Sequence, residues 1–361
     1  MGINYKHKQQ SISFKVLSNE NPKAMYNFFR KKWNKSDFFL LPISKLTHLG
    51  FTKENIRTFR KEYNNTADRE RQLAEENGVE IIFRENKYFP LLLKEIYDPP
   101  EFLYVKGDKE VLNSRMLAVV GSRKGSEYGR RTISRLIPEI SGARVTIVSG
   151  MAYGIDSMSH MEAVKNNGKT IGVNAGGLLS IYPSGNSSLI KKILANGCIV
   201  SEFPLNMEPR PHLFPIRNRI IAGMSEAILV VEAEIRSGSL ITARLGLEQD
   251  RDILAVPGNI DSPISTGTNH LIQQGAKLIT SAEDILIEYG IKIKKERKVL
   301  SMQLTPPEKK ILDLMSKNEV NSINYFVENT GNSVSQTISV LMGMVLKNLI
   351  TEEDGGFKEI T

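Results

Sequence analysis

The sequence predicts an α/β protein: a doubly wound, mostly parallel sheet, flanked by a small helical N-terminal domain and a C-terminal winged helix. Three observations predict it. From about residue 80 to 290, apolar runs of four to six residues alternate with helix-length stretches, the pattern of strands buried on both faces with crossover helices between them. Most of these runs end at Gly, Ser, Asn or Pro, where a strand turns into a helix. The chain of 361 residues has room for two or three domains, and its composition shifts at both ends.

Residues 1–75 read as the helical domain. Leu46 to Gly50 followed by Thr52-Lys53-Glu54 predicts a helix, a glycine turn and a helix start. A helix-hairpin-helix and a generic helical hairpin both fit that spacing. Residues 68–76 are charged and helix-prone, and join this domain to the next. Residues 1–62 hold 13 Lys/Arg against four acids, a net +9 in a chain of net +8, so the other 299 residues together carry about −1. Such a concentration suits either a solvated surface or an anionic partner, of which nucleic acid is the commonest.

Strands are expected at 80–83, 116–120, 145–148, 170–173, 198–201, 227–232 and 252–256, and helices at 128–141, 154–167, 188–196 and 242–249, all within a domain spanning 80–290. Residues 291–301 are basic and without periodicity, a linker. The last domain, 302–361, opens with a capping box, Thr305-Pro306-Pro307-Glu308. A short helix at 323–327 stops near Gly331. A second capping box, Ser333 to Gln336, starts a helix on which Val334, Ile338, Leu341, Met342, Val345, Leu346 and Leu349 recur at helical spacing. The methionines here are expected in the core, and 350–360 as a β-hairpin. Its third helix offers only Lys347 and its wing carries Glu352, Glu353 and Asp354; with five Lys/Arg against eight Asp/Glu over 302–361, the domain reads as a protein-contact module or spacer.

Several classes are set aside. One cysteine, Cys198, leaves no disulfide framework or cysteine metal cluster, and Cys-Ile-Val marks it as a buried strand thiol. The five histidines have no metal-ligand spacing, and no nucleophile–histidine–acid set is visible. No apolar run approaches the roughly 18 residues of a membrane span, and the polar, basic start of the chain has no signal region behind it. A cytoplasmic protein without membrane, metal or cofactor is the expectation.

The chemistry concentrates in four turns. Gly121-Ser122-Arg123-Lys124 follows an apolar run and precedes a helix, where N–H groups attract anions. Its glycines stand at 121, 125 and 129, neither a dinucleotide fingerprint nor a Walker loop. Ser149 and Gly150 form a second strand-to-helix turn, expected at the same sheet edge. Arg217, Asn218 and Arg219 open a third segment; the two arginines point different ways on a helix, so one holds structure while the other meets the ligand, and Arg217 is the expected contact. Ser237, Gly238, Ser239 and Thr242 make the fourth, with hydroxyls and N–H groups suited to a phosphate or to capping a helix near Leu240. Glu232, ending a strand, is expected to ion-pair with an arginine of the cleft. The set is suited to holding phosphates rather than breaking bonds.

These residues resemble the DNA-processing protein A family (DprA or Smf). The likeness rests on Ala-Val-Val-Gly-Ser-Arg (118–123), Val-Ser-Gly-Met-Ala-Tyr-Gly-Ile-Asp (148–156), Phe-Pro-Ile-Arg-Asn-Arg-Ile-Ile-Ala-Gly (214–223), Val-Val-Glu-Ala (230–233), Arg-Ser-Gly-Ser-Leu-Ile-Thr-Ala (236–243), Ala-Val-Pro-Gly (255–258) and Gly-Thr-Asn-His-Leu-Ile (267–272), which adds Asn269 to the candidate contacts. Tyr88 to Asp108 looks like that family's segment before the first sheet motif. The resemblance covers about 80–290. It implies an extended Rossmann-like domain that binds single-stranded DNA, and a homodimer, not an enzyme, that protects incoming single strands and loads RecA recombinase onto them during natural transformation. The chain departs from the family at 175–179, where Ala-Gly-Gly-Leu-Leu replaces Gly-x-Gly-Leu-Asp, and at Ser184 after Tyr182-Pro183, with Lys191 or Lys192 as substitute contacts. Two other readings are a Rossmann-like nucleotide hydrolase, whose Pro-Gly-Gly-x-Gly-Thr-x-x-Glu is here split between Pro257-Gly258 and Gly267-Thr268 without its glutamate, and a scaffold that binds no DNA.

Overall fold

In the computed structural model the described residues are 8–16, 21–31, 33, 35, 37–181, 187–291, 304–315, 321–347, 349–353 and 355–359. They fall into two compact units, Met1–Ile293 and Lys294–Thr361. The expected linker and the Tyr182–Ser184 departure lie outside the described residues, except for Ile291.

The first unit is built on a nine-stranded sheet. Its strands are β1 (Val79–Phe83), β2 (Phe102–Gly107), β3 (Met116–Val120), β4 (Thr146–Gly150), β5 (Thr170–Val173), β6 (Gly197–Ser201), β7 (Ala227–Val230), β8 (Asp252–Ala255) and β9 (Lys277–Leu278). Their order in the sheet is β1-β2-β6-β5-β4-β3-β7-β8-β9. β2 pairs antiparallel with β1 and β6, and every other pairing is parallel. The chain therefore steps outward from β3 both ways, through β4, β5 and β6 on one side and through β7, β8 and β9 on the other. The switch point lies between β3 and β7, and a doubly wound fold opens a crevice there.

Alternation explains why β3 is wholly apolar. Leu117 and Val119 join the core under the helices Glu127–Gly142 and Ile155–Lys165, while Ala118 and Val120 join the opposite core with Ile220 and Ile221 of the helix Leu213–Met224. Cys198 is buried within β6, where burial pushes its thiol up and out of the reactive range.

Two strands lie outside the expected set. The apolar run of β2 starts one residue after Asp98-Pro99-Pro100, and β9 has only two residues, too few to show a period. Several ends also moved by one to four residues, two of them for a visible reason. β7 stops at Val230 rather than at 232, because Glu232 leaves the ladder to bond elsewhere. The helix expected over 242–249 runs Gly238–Glu248, since the Ser237 hydroxyl accepts the Ser239 N–H and starts it earlier.

Before the sheet come the helices Pro22–Arg30, Asp37–Leu40, Ile43–Thr47 and Lys53–Glu76. The expected turn is there: Gly50 sits at φ +104°, and the Thr52 hydroxyl accepts the Asn55 N–H at 3.0 Å to cap the long helix. That helix absorbs the join at 68–76. Edge-to-face aromatic contacts around Phe38 form the local core. Ile12, Ala67 and Ala74 pack instead with Val79, Phe102 and Tyr104, so the helices and the sheet share buried surface.

Among the described residues the second unit has three helices, Pro306–Leu314, Ile323–Thr330 and Val334–Leu346, then a hairpin of β10 (Ile350–Glu353) and β11 (Gly356–Glu359). Both capping boxes form, and Gly331 ends the second helix at φ +73°. The core is Ile311, Phe326, Leu341, Met344, Ile350 and Phe357. The expected buried face of the third helix needs correction. Thr337, Leu341 and Met344 point inward, while Val334, Ile338, Met342 and Leu346 are exposed. The helix is apolar on more than one side, so periodicity alone selects no face.

Candidate functional site

A cleft of about 420 Å³ opens at the switch point. Its first wall is the turn after β3. Gly121, Ser122, Arg123 and Lys124 line it, and Arg123 and Lys124 are exposed. The turn is pinned from behind: the Ser122 N–H donates to the Glu232 carbonyl at 2.8 Å, and its carbonyl accepts the Ile155 N–H at 3.1 Å. Gly154 permits this approach, because a Cβ there would strike the Ser122 carbonyl. Among the described residues the Arg123 guanidinium makes no hydrogen bond or ion pair; it lies over the Phe214 ring at 5.0 Å.

The opposite wall follows β7. Ser237, Gly238, Ser239 and Thr242 line it at the N-terminus of the helix Gly238–Glu248. The Ser237 and Ser239 hydroxyls lie 2.7 Å apart and bond to each other. The positive end of the helix dipole faces no carboxylate bound to its first turn among the described residues.

The helix Leu213–Met224 closes the floor with Phe214, Arg217 and Asn218. Arg217 is only 4 % exposed. Its Nη1 donates to the Val173 carbonyl at 2.6 Å and its Nε to the Asn218 side chain at 3.1 Å. Asp156 lies beside it, likewise in the cleft lining and buried. Burial raises the Asp156 carboxyl to about 6, with the Arg217 charge and the Ala152 N–H holding it lower than burial alone would. Burial likewise draws the Arg217 guanidinium down, opposed by Asp156 and assisted by Arg123. The floor thus sets one cation against one acid, beneath the exposed cations Arg123 and Lys124 and the exposed acid Glu234 of the lining.

Four expected contacts sit elsewhere. Ser149 is fully buried, its hydroxyl donating to the Val119 carbonyl at 2.6 Å. Gly150 supports the floor from below, since a Cβ there would meet both the Arg217 guanidinium and the Asp156 carboxylate. Arg219 leaves the helix on the other side and bonds the Glu202 carboxylate at 2.6 Å and the Asp98 carbonyl at 2.7 Å. Lys15 joins the same Glu202 oxygen at 3.0 Å, and the two cations hold that carboxyl below its usual range against the cost of burial. Asn269 brackets Gly258, donating to its carbonyl and accepting its N–H. It thereby brings Pro257-Gly258 beside Gly267-Thr268-Asn269, although neither segment lines the cleft.

Among the described residues Glu232 pairs with no arginine. Its carboxylate accepts from the Ser126 N–H at 2.9 Å, from the Ser126 hydroxyl and from the Gly129 N–H at 3.1 Å, and so caps the helix Glu127–Gly142. Its position straight after an apolar strand gave no hint of which partner it turns to. Sequence reasoning also left out Asp156 and Phe214 as cleft residues, although both stand within the quoted motifs. The departure at 175–179 is packed: the Asn174 side chain donates to the carbonyls of Gly176 and Gly177 at 3.1 and 2.9 Å. Lys191 and Lys192 are exposed and outside the cleft lining. His160, fully buried between Thr170 and the Gly150 carbonyl, is pushed down to about 4 by burial and stays neutral. Among the described residues no group of three or more His, Cys, Asp and Glu is placed to hold a metal, and no helix is long and apolar enough to cross a membrane.

The model of the family described as DNA recombination-mediator protein A matches residues 80–290, the whole span from β1 past β9. The chain is 46 % identical to the DNA processing protein DprA of Bacillus subtilis (strain 168) over 214 residues, 59 % of this chain and 72 % of that protein. It is similar to the X-ray structure of DNA processing protein A from Streptococcus pneumoniae, with a TM-score of 0.61 at 34 % identity over 79 % of this chain and 97 % of that one. A DNA processing protein A from Helicobacter pylori, whose structure was described for its single-stranded DNA binding mode, aligns with a TM-score of 0.54 at 29 % identity over 58 % of this chain and 95 % of that one.

Proposed function

The chain belongs to the DNA recombination-mediator protein A family, and from that premise we propose that its cleft binds single-stranded DNA without bond chemistry. The observation that carries the reading is the pairing of two unlike phosphate holders across one crevice. Exposed Arg123 and Lys124 line the same cleft as the N-terminus of the helix Gly238–Glu248, which the Ser237 hydroxyl caps and whose first turn holds no acidic residue. On this reading both walls hold backbone phosphates, so binding tolerates sequence. The aromatic residue of the lining, Phe214, already has Arg123 and Arg217 over its ring, so affinity comes mainly from phosphate contacts and falls steeply with salt.

The wider role is a proposal too: a homodimer in the cytoplasm that protects incoming single strands and loads RecA recombinase onto them in natural transformation. The family's description as a recombination mediator and the single-strand binding of the Helicobacter pylori relative support it. A gel shift with matched short single and double strands at two salt concentrations tests the binding step. Preference for the single strand and weakening with salt are expected; equal affinity for both forms sinks it. RecA filament growth on strands coated with single-strand-binding protein tests the loading step, and no acceleration by this protein refutes it.

A further inference from the structure

In a Rossmann-like sheet the helix after the first strand of the switch point is where a nucleotide's phosphate is received by backbone N–H groups. In this chain the corresponding helix is Glu127–Gly142, directly after β3, and its N-terminus is filled from within. Glu232 is 2 % exposed. Its two carboxylate oxygens take the Ser126 N–H, the Ser126 hydroxyl and the Gly129 N–H, the donors a bound phosphate would use. Its own carbonyl holds the Ser122 N–H as well. Gly129 fits the arrangement, because a Cβ there would collide with the carboxylate.

We propose that Glu232 is a specificity-determining residue: a built-in anion that occupies the phosphate position of the first helix and bars free nucleotides from it. The carboxylate is tethered, so a nucleotide phosphate has to expel it and leave a buried charge without its donors. An incoming polyanion is left with the second helix N-terminus, at Ser237-Gly238-Ser239, and with Arg123 and Lys124. The inference rests on the fold and on Glu232 alone, and its test uses no DNA, so failure of the single-strand reading leaves it standing.

The test compares full-length wild type, Glu232→Ala and Glu232→Gln with inorganic pyrophosphate and AMP as probes. Calorimetry reads affinity, and amide NMR reads Ser126 and Gly129. In the wild type, pyrophosphate leaves both amides unmoved. In Glu232→Ala it shifts both and binds roughly tenfold more tightly, about 1.4 kcal/mol. Pyrophosphate moving these amides in the wild type overturns the proposal, as does a folded Glu232→Ala that gains no affinity. If Glu232→Ala does not fold, Glu232→Gln decides. Its neutral amide holds the donors less tightly, so a measurable gain over wild type is expected, and no gain overturns the proposal.

Discussion

The cleft of the first unit and the third helix of the second unit are the two places where DNA contacts would be sought, and they are chemical opposites. The cleft collects Arg123, Lys124 and Arg217, against the acids Asp156 and Glu234, around a helix N-terminus capped by Ser237. The helix Val334–Leu346 contains no charged residue and turns Val334, Ile338, Met342 and Leu346 to solvent. A winged helix that reads DNA carries cations on that helix. The difference teaches that the fold of a module does not assign its ligand; the side chains on the presented face do.

The largest effect that sharpens this contrast is at Arg217. Arg217→Ala removes the cation beside buried Asp156 and is expected to destabilise the first unit by about 3–5 kcal/mol, read by urea denaturation. Intact stability would show that Asp156 needs no partner. Next comes Arg123. Its exposed guanidinium bonds nothing among the described residues, so Arg123→Ala should weaken single-strand binding by about 1–3 kcal/mol while leaving the melting temperature nearly unchanged. A variant that melts far lower yet binds normally when folded would make Arg123 structural.

A smaller effect follows from Asp156. Its folded carboxyl is raised, chiefly by burial, to about 6. Between roughly pH 4 and pH 6 the folded state binds more protons than the unfolded one, so this group's contribution to stability falls as pH rises through that window. Below about pH 6 its proton leaves Arg217 uncompensated and the cleft more positive. Single-strand affinity should therefore rise on acidification by no more than tenfold per pH unit, the limit for one proton. Asp156→Asn should flatten that rise; an unchanged profile would place the titration elsewhere. The smallest effect belongs to the second unit. Cutting the chain after Ser301 should leave single-strand affinity within about threefold, roughly 0.7 kcal/mol. A tenfold loss in a protein that still folds would give the acidic domain a DNA surface.

Much of the first unit was legible because its strands are buried on both faces, and such runs leave the same trace wherever they occur. β3 and β5 match their expected bounds residue for residue. β9 was not legible, since two residues carry no period. At the site, composition and turn type picked out Arg123, Lys124 and Ser237, and the structure brings all three to one cleft. Helical spacing separated Arg217 from Arg219, but the partner of each was not legible. Nothing in the order Arg-Asn-Arg says that Arg219 turns to Glu202 while Arg217 stays under the cleft, because that choice depends on Asp98 and Glu202, distant in sequence. Glu232 was misjudged for the same reason: its donors lie more than a hundred residues earlier.

The contrast between cleft and helix is tested most directly by mapping where a strand lies. A short single strand carrying photoreactive bromouridine, cross-linked to the full-length protein and analysed by peptide mass spectrometry, reports the contact residues. Cross-links within 121–124, 211–221 and 234–242 are the expected result. Cross-links confined to the helix Val334–Leu346 and its hairpin, with none in those segments, would contradict it.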